Sequence, residues 1–102
     1  MAVTVTIGRN VGDRPMDDET WADFIDATTH ALWEVYDPTV YFSGGGRGYS
    51  PEWGEEQSWT FVLSDCDYAD RWNELQRNLQ RVAIAYGQEA IALTRGETLF
   101  VG

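Results

Sequence analysis

The 102-residue sequence contains no lysine; its seven basic side chains are all arginine. That absence excludes a Walker A loop, which needs Gly-Lys-Ser/Thr, and Schiff-base chemistry, which needs an amine. Cysteine is almost missing as well. A single Cys66 excludes an internal disulfide and suits a reducing compartment, so a cytoplasmic location is expected. No apolar run approaches the roughly 20 residues of a spanning helix. The opening Met-Ala-Val-Thr-Val-Thr-Ile-Gly-Arg lacks the charged and then apolar pattern of a signal peptide.

What the chain has in excess is negative charge. Seventeen acidic residues against seven basic ones give a net charge of −10. Residues 1–56 hold eleven acids and three arginines, while residues 57–102 hold six and four. Such a field repels nucleic-acid phosphates and anionic lipid and favours basic partners, so neither direct nucleic-acid binding nor membrane binding is expected. A hydrophobic content of 43%, with five Trp, five Tyr and four Phe, predicts one folded domain over residues 1–102.

Val3, Val5 and Ile7 alternate with Thr4 and Thr6, the period of a half-buried strand. Gly8, Gly12 and Pro15 break the chain, and Asp17-Asp18-Glu19 then supplies a cap and an acidic first turn for a helix. Its apolar stripe is Trp21, Phe24, Ile25, Thr28, Leu32 and Val35, and Asp37-Pro38 stops it. Thr39–Ser43 predicts a strand, residues 43–56 a long glycine-rich loop, and Gln57–Leu63 another strand. A second helix, capped by Ser64, Asp65 or Asp67 and closed by Gly87, carries Tyr68, Trp72, Leu75, Leu79, Val82, Ala83 and Tyr86 on one stripe. Ala90–Thr94 and Glu97–Val101 complete the pattern around an Arg95-Gly96 turn. The order β-α-β-β-α-β-β predicts an α+β two-layer sandwich. Both helices lie on one face of an antiparallel sheet, ferredoxin-like with an added strand.

Two regions are candidate sites. In the glycine-rich loop, Gly46 permits close backbone approach, Arg47 offers a bidentate grip on phosphate or carboxylate, and Tyr49 and Trp53 offer rings for stacking. Glu52, Glu55 and Glu56 weaken that anion trap, and a plain hairpin tip is the competing reading. On the first helix, Glu19, Asp23, Asp26, His30 and Glu34 lie opposite the apolar stripe, with Trp33 beside them. Like charges one turn apart cost the helix a few tenths of a kcal/mol each. The competing readings are a surface tuned to a basic partner and an ordinary solvated face. Asp26-x3-His30-x3-Glu34 has only one imidazole and is a poor metal site, so no metal or cofactor is expected. Cys66 lies between Asp65 and Asp67, which disfavour a thiolate, and is expected to be structural. Arg71, Arg77 and Arg81 interleave with Asp70 and Glu74 as a salt-bridged surface.

Ile-Gly-Arg-Asn-Val-Gly followed by Pro-Met and a Trp-bearing helix, then Tyr-Phe-Ser-Gly-Gly-Gly and Ser-Trp-Thr-Phe, resembles small proteins encoded by phages of actinobacteria. The resemblance covers about the first sixty residues and carries no assigned activity, so no catalytic residue transfers. It implies a small, acidic phage protein that acts in the host cytoplasm and binds a host factor. The chain also shows no convergent nucleophile, base and orienter. The resulting expectation is a non-enzymatic binding protein, an inhibitor in counter-defence or host takeover. Its Glu19, Asp23, Asp26, His30, Trp33 and Glu34 surface would dock a basic face of a host protein as a mimic of nucleic-acid phosphates. The alternative is a protein that sequesters a nucleotide-like ligand with Gly46, Arg47, Tyr49 and Trp53. Homodimerisation through the uncovered sheet face, near Tyr41 and Val62, is compatible with either.

Overall fold

The alternation along Val3, Val5 and Ile7 does form a strand. In a computed structural model, which describes residues 2–35, 40–50, 54–63 and 71–96, β1 spans Ala2–Gly8. It pairs antiparallel with β5 (Gly54–Leu63) on one side and β6 (Ala92–Gly96) on the other. β4 (Val40–Ser50) joins the outer side of β5, giving the order β4-β5-β1-β6. Helix α1 (Asp18–Val35) connects β1 to β4, and α2 (Trp72–Ala85) connects β5 to β6. This is the split βαβ arrangement of a two-layer α+β sandwich, as expected. The added strand at 97–101, Tyr68, the Ser64, Asp65 and Asp67 caps, Cys66 and the Asp37-Pro38 stop lie outside the described residues.

The period-2 and period-3.6 patterns meet in one core. Val3, Val5, Ile7, Phe61 and Leu63 face the helices from the sheet; Trp21, Phe24, Leu32 and Val35 face it from α1; Leu75 and Leu79 do so from α2. Burying each large side chain of this kind contributes about 1.5–3 kcal/mol. Two polar groups enter the core with partners. The Thr28 hydroxyl donates to Phe24 O at 2.9 Å, and the Asn78 amide donates to Ala31 O at 3.3 Å, tying α2 to α1. Asp17 caps α1: its Oδ1 accepts the Thr20 N–H at 2.7 Å, the bond expected of an N-cap side chain. That bond, helped by the Thr20 hydroxyl and by the positive charge of Arg9, holds the Asp17 carboxyl below its ordinary range.

Three segments differ from the sequence expectation. Arg95 and Gly96, expected as a turn, end β6 and pair with Val3 and Ala2, because β1 extends far enough to complete their ladder. A short hairpin, β2 (Asn10–Val11) against β3 (Arg14–Pro15), occupies the stretch expected only to break the chain. Gly12, with φ 63°, supplies the left-handed residue that its two-residue turn needs. The expected glycine-rich loop is also corrected. Residues 43–50 continue β4 and pair residue by residue with β5, from Ser43 opposite Phe61 to Ser50 opposite Gly54. The glycines do not unseat the strand because each of residues 43–50 has a partner on β5, and at Gly45 the absent side chain is required. A Cβ there would come within 2.7 Å of the Trp59 ring.

Candidate functional site

The far end of β1 is held by a dense set of hydrogen bonds. Arg9 follows the strand and is occupied at every nitrogen: Nε donates to Met16 O at 2.7 Å, NH1 to Gln57 Oε1 at 2.8 Å, and NH2 to Asp18 Oδ1 at 2.7 Å. Its backbone N–H donates to Gln57 O, and its carbonyl accepts from the Met16 N–H. One guanidinium thus fixes the β2–β3 hairpin, the start of α1 and the middle of β5 relative to one another. Next in sequence, Asn10 accepts from the Gln88 side chain at 2.9 Å through its carbonyl. The end of α2 is thereby tied to the same corner. Tyr86 stacks on Phe24 there, with centroids 4.9 Å apart.

The carboxylate at this corner is Glu56. Its Oε1 accepts the Asn10 backbone N–H at 3.1 Å. It lies directly over Gly8, where any Cβ would overlap the carboxyl group. Because Ile7 points into the core, Gly8 belongs to the opposite face of the sheet, which no described element covers. Across that face runs a row of Gly46, Ser58 and Gly8, and beside it a row of Gly44, Thr60, Thr6 and Ala92. The Thr6 and Thr60 hydroxyls are 3.1 Å apart and hydrogen-bonded. A Cβ on Gly46 would meet nothing within 4 Å. The result is a floor of glycine and hydroxyl groups bounded by one fixed carboxylate.

The sequence-selected residues fall elsewhere or only partly here. Glu19, Asp23, Asp26, His30, Trp33 and Glu34 are all exposed on α1, as the helical spacing requires. Trp33 is 50% exposed, and its ring meets His30 edge-on at 6.0 Å. Glu34 is partly engaged by the fold itself: its Oε2 accepts from Asn78 at 3.4 Å, and its backbone carbonyl accepts from Arg71 at 3.1 Å. Arg71 also bonds Glu74, which holds that carboxyl below its ordinary range, in line with the salt-bridged surface expected on α2. Of the loop candidates, Gly46 lies on the open floor. Arg47 and Tyr49 stand opposite Gln57 and Glu55 in the β4–β5 ladder, with side chains outside the described set, and Trp53 is outside the described residues. Glu56 was noted in the sequence only as a neighbour weakening Arg47; its fixation by Asn10 depends on a contact 46 residues away along the chain.

A second concavity, of about 350 Å³, lies between α2 and β6. Leu79, Ala83, Ile91 and Leu93 form its apolar walls, with Glu89 at the rim. Glu89 is exposed, and no described hydrogen bond fixes it.

No protein-family model matches the chain, and no curated protein matches it. Solved structures do. A phage S-adenosylmethionine (SAM) lyase in its apo state superposes with a TM-score of 0.61 at 19% identity, over 90% of this chain and 75% of that one. A phage SAM lyase in complex with S-methyl-5′-thioadenosine superposes with a TM-score of 0.57 at 17% identity, over 90% and 76%. At these identities the likeness establishes a shared fold. It also corrects the expected role. The expectation of a non-enzymatic inhibitor docking through the acidic face of α1 rests on the charge excess and the phage resemblance, with no catalytic constellation in the sequence to oppose it. The fold that the residues build is instead one that an enzyme uses.

Proposed function

We propose that this chain cleaves S-adenosylmethionine and releases methylthioadenosine. The observation that carries the reading is the superposition, over nine-tenths of the chain, on a phage SAM lyase that holds that thioether nucleoside. The charge supports it. S-adenosylmethionine is a sulfonium cation, and a chain of net charge −10 attracts such a substrate over roughly a Debye length. The acidic excess therefore suits a small cationic substrate without any basic protein partner. The resemblance of the first sixty residues to phage proteins supports a phage setting. There, loss of S-adenosylmethionine withdraws the methyl donor from host enzymes.

In such a reaction the bond between sulfur and the γ-carbon of the amino-acid half breaks. Its electron pair stays on sulfur, which becomes a neutral thioether. Two closures of the four-carbon half balance without water. Its own carboxylate oxygen bonds to the γ-carbon to give a lactone, or a β-proton leaves to a base and an alkene forms. The first needs no base from the protein, which fits an open face offering hydroxyls and one carboxylate. The test is incubation of the protein with S-adenosylmethionine and early-time mass spectrometry of both halves. Methylthioadenosine with a lactone or an alkene is the expected outcome. Intact S-adenosylmethionine, or a four-carbon product that has taken up solvent oxygen from the outset, would overturn the assignment.

A further inference from the structure

We infer that Glu56 selects by charge, holding the sulfonium of the substrate on the open sheet face and leaving the neutral thioether product unheld. The inference rests on the SAM-cleaving reading and assigns a residue and a place within it. Four observations converge on the same atoms. Glu56 is fixed: Oε1 accepts the Asn10 N–H, and the carboxyl group rests on Gly8, which leaves room for it only because it has no Cβ. Neither described ion pair, Arg9 with Asp18 or Arg71 with Glu74, uses this carboxylate. The floor beside it is cleared of side chains at Gly46, across the ladder from Ser58, while the carboxyl group itself covers Gly8. Above Gly46 there is open space. A flat nucleoside can lie on such a floor with its sulfur beside the carboxylate. The groove between α2 and β6 has apolar walls but no fixed charge, so it offers nothing that distinguishes a sulfonium from a thioether.

The consequence for turnover follows from where charge goes. A carboxylate beside sulfur attracts the sulfonium, and that attraction fades as the S–C bond breaks and the charge is lost. Such a group therefore strengthens substrate binding more than it stabilises the transition state. Its removal should raise KM while leaving kcat nearly unchanged or slightly higher. The same loss of attraction lets the product leave.

The test compares two nucleosides that differ by one methyl group and one positive charge: dimethylsulfonio-adenosine, which has no amino-acid half, and methylthioadenosine. Calorimetric titration of the wild-type protein should show the sulfonium bound about tenfold more tightly, the scale of one partly screened charge pair. In Glu56→Gln, whose amide oxygen still accepts the Asn10 N–H, that preference should vanish. Gly8→Ala provides a second route, because it keeps the carboxylate but displaces it; the preference should fall there too, with melting temperature tracked for both variants. Equal wild-type affinities, or a preference that survives in Glu56→Gln, would overturn the role of Glu56. If methylthioadenosine is still released from S-adenosylmethionine, the proposed reaction stands without it. Failure to bind either nucleoside or to consume S-adenosylmethionine would overturn both.

Discussion

The two faces of the sheet are built from the same strands and differ in almost every respect. Toward the helices stand Val3, Val5, Ile7, Phe61 and Leu63, each nearly or fully buried. Away from them stand Thr4, Thr6, Gly8, Ser58 and Thr60, small or hydroxylated and half-buried. One face is filled to exclude water, and the other is kept low. A sheet that only needed solubility would place long charged side chains outward; this one places mainly glycine and hydroxyl groups there, with Val62, Ala92 and one bonded carboxylate. The contrast teaches that the packed face and the candidate binding face are separated by a one-residue alternation along β1 and β5.

Substitutions on the two faces should therefore fail in different ways. The largest effect belongs to Phe61→Ala, which opens a cavity at the sheet–helix boundary. It should cost about 3–5 kcal/mol, a large share of the roughly 5–15 kcal/mol that holds a domain of this size. Chemical denaturation would read this as a lowered midpoint. Next is Gly45→Ala, where the new methyl group presses on the Trp59 ring; a loss of about 1–3 kcal/mol and a shifted tryptophan emission are expected. On the other face, Glu56→Gln should leave stability within about 0.5 kcal/mol, while KM for S-adenosylmethionine rises about tenfold. Loss of folding in that variant would show that the faces are not separable.

Smaller effects sharpen the comparison from outside the sheet. Asp23→Asn combined with Asp26→Asn, on the exposed side of α1, should lower the rate of substrate capture slightly at low salt and not at all at high salt. A loss that persists at high salt would restore a specific role to that helix. The smallest effect concerns Asp17. Its carboxyl is held below its ordinary range in the folded state, so its share of stability is full above the unfolded value and is lost as pH falls through the folded one. Asp17→Asn should lower stability slightly at neutral pH and converge with wild type in acid, which flattens the acid limb of the stability profile. An unchanged acid limb would remove Asp17 from the account.

Much of the fold was legible because burial repeats with the period of the backbone. The stripe Trp21, Phe24, Thr28, Leu32 and Val35 names the inner face of α1, and the alternation of Val3, Val5 and Ile7 implies that Gly8 faces outward. The site was not legible. Glycine-rich sequence ordinarily signals a loop, and nothing local shows that residues 43–50 find a complete ladder on β5. Nor does local sequence bring Glu56 to Asn10 or Gln88 to the same corner; those contacts depend on the register of β5 and the ending of α2. The proposed reaction leaves no local signature for a related reason. Sequence reading sought a converging nucleophile and base, whereas a sulfonium substrate brings its own leaving group and, in the lactone route, its own nucleophile.

The most direct measurement is the time course of methylthioadenosine formation from S-adenosylmethionine, followed on the wild-type protein and Glu56→Gln side by side across a substrate series. The account predicts that both proteins form it, with matching rates at saturation and a curve for Glu56→Gln displaced to higher substrate concentration. No methylthioadenosine from a folded wild-type protein at any concentration would contradict it.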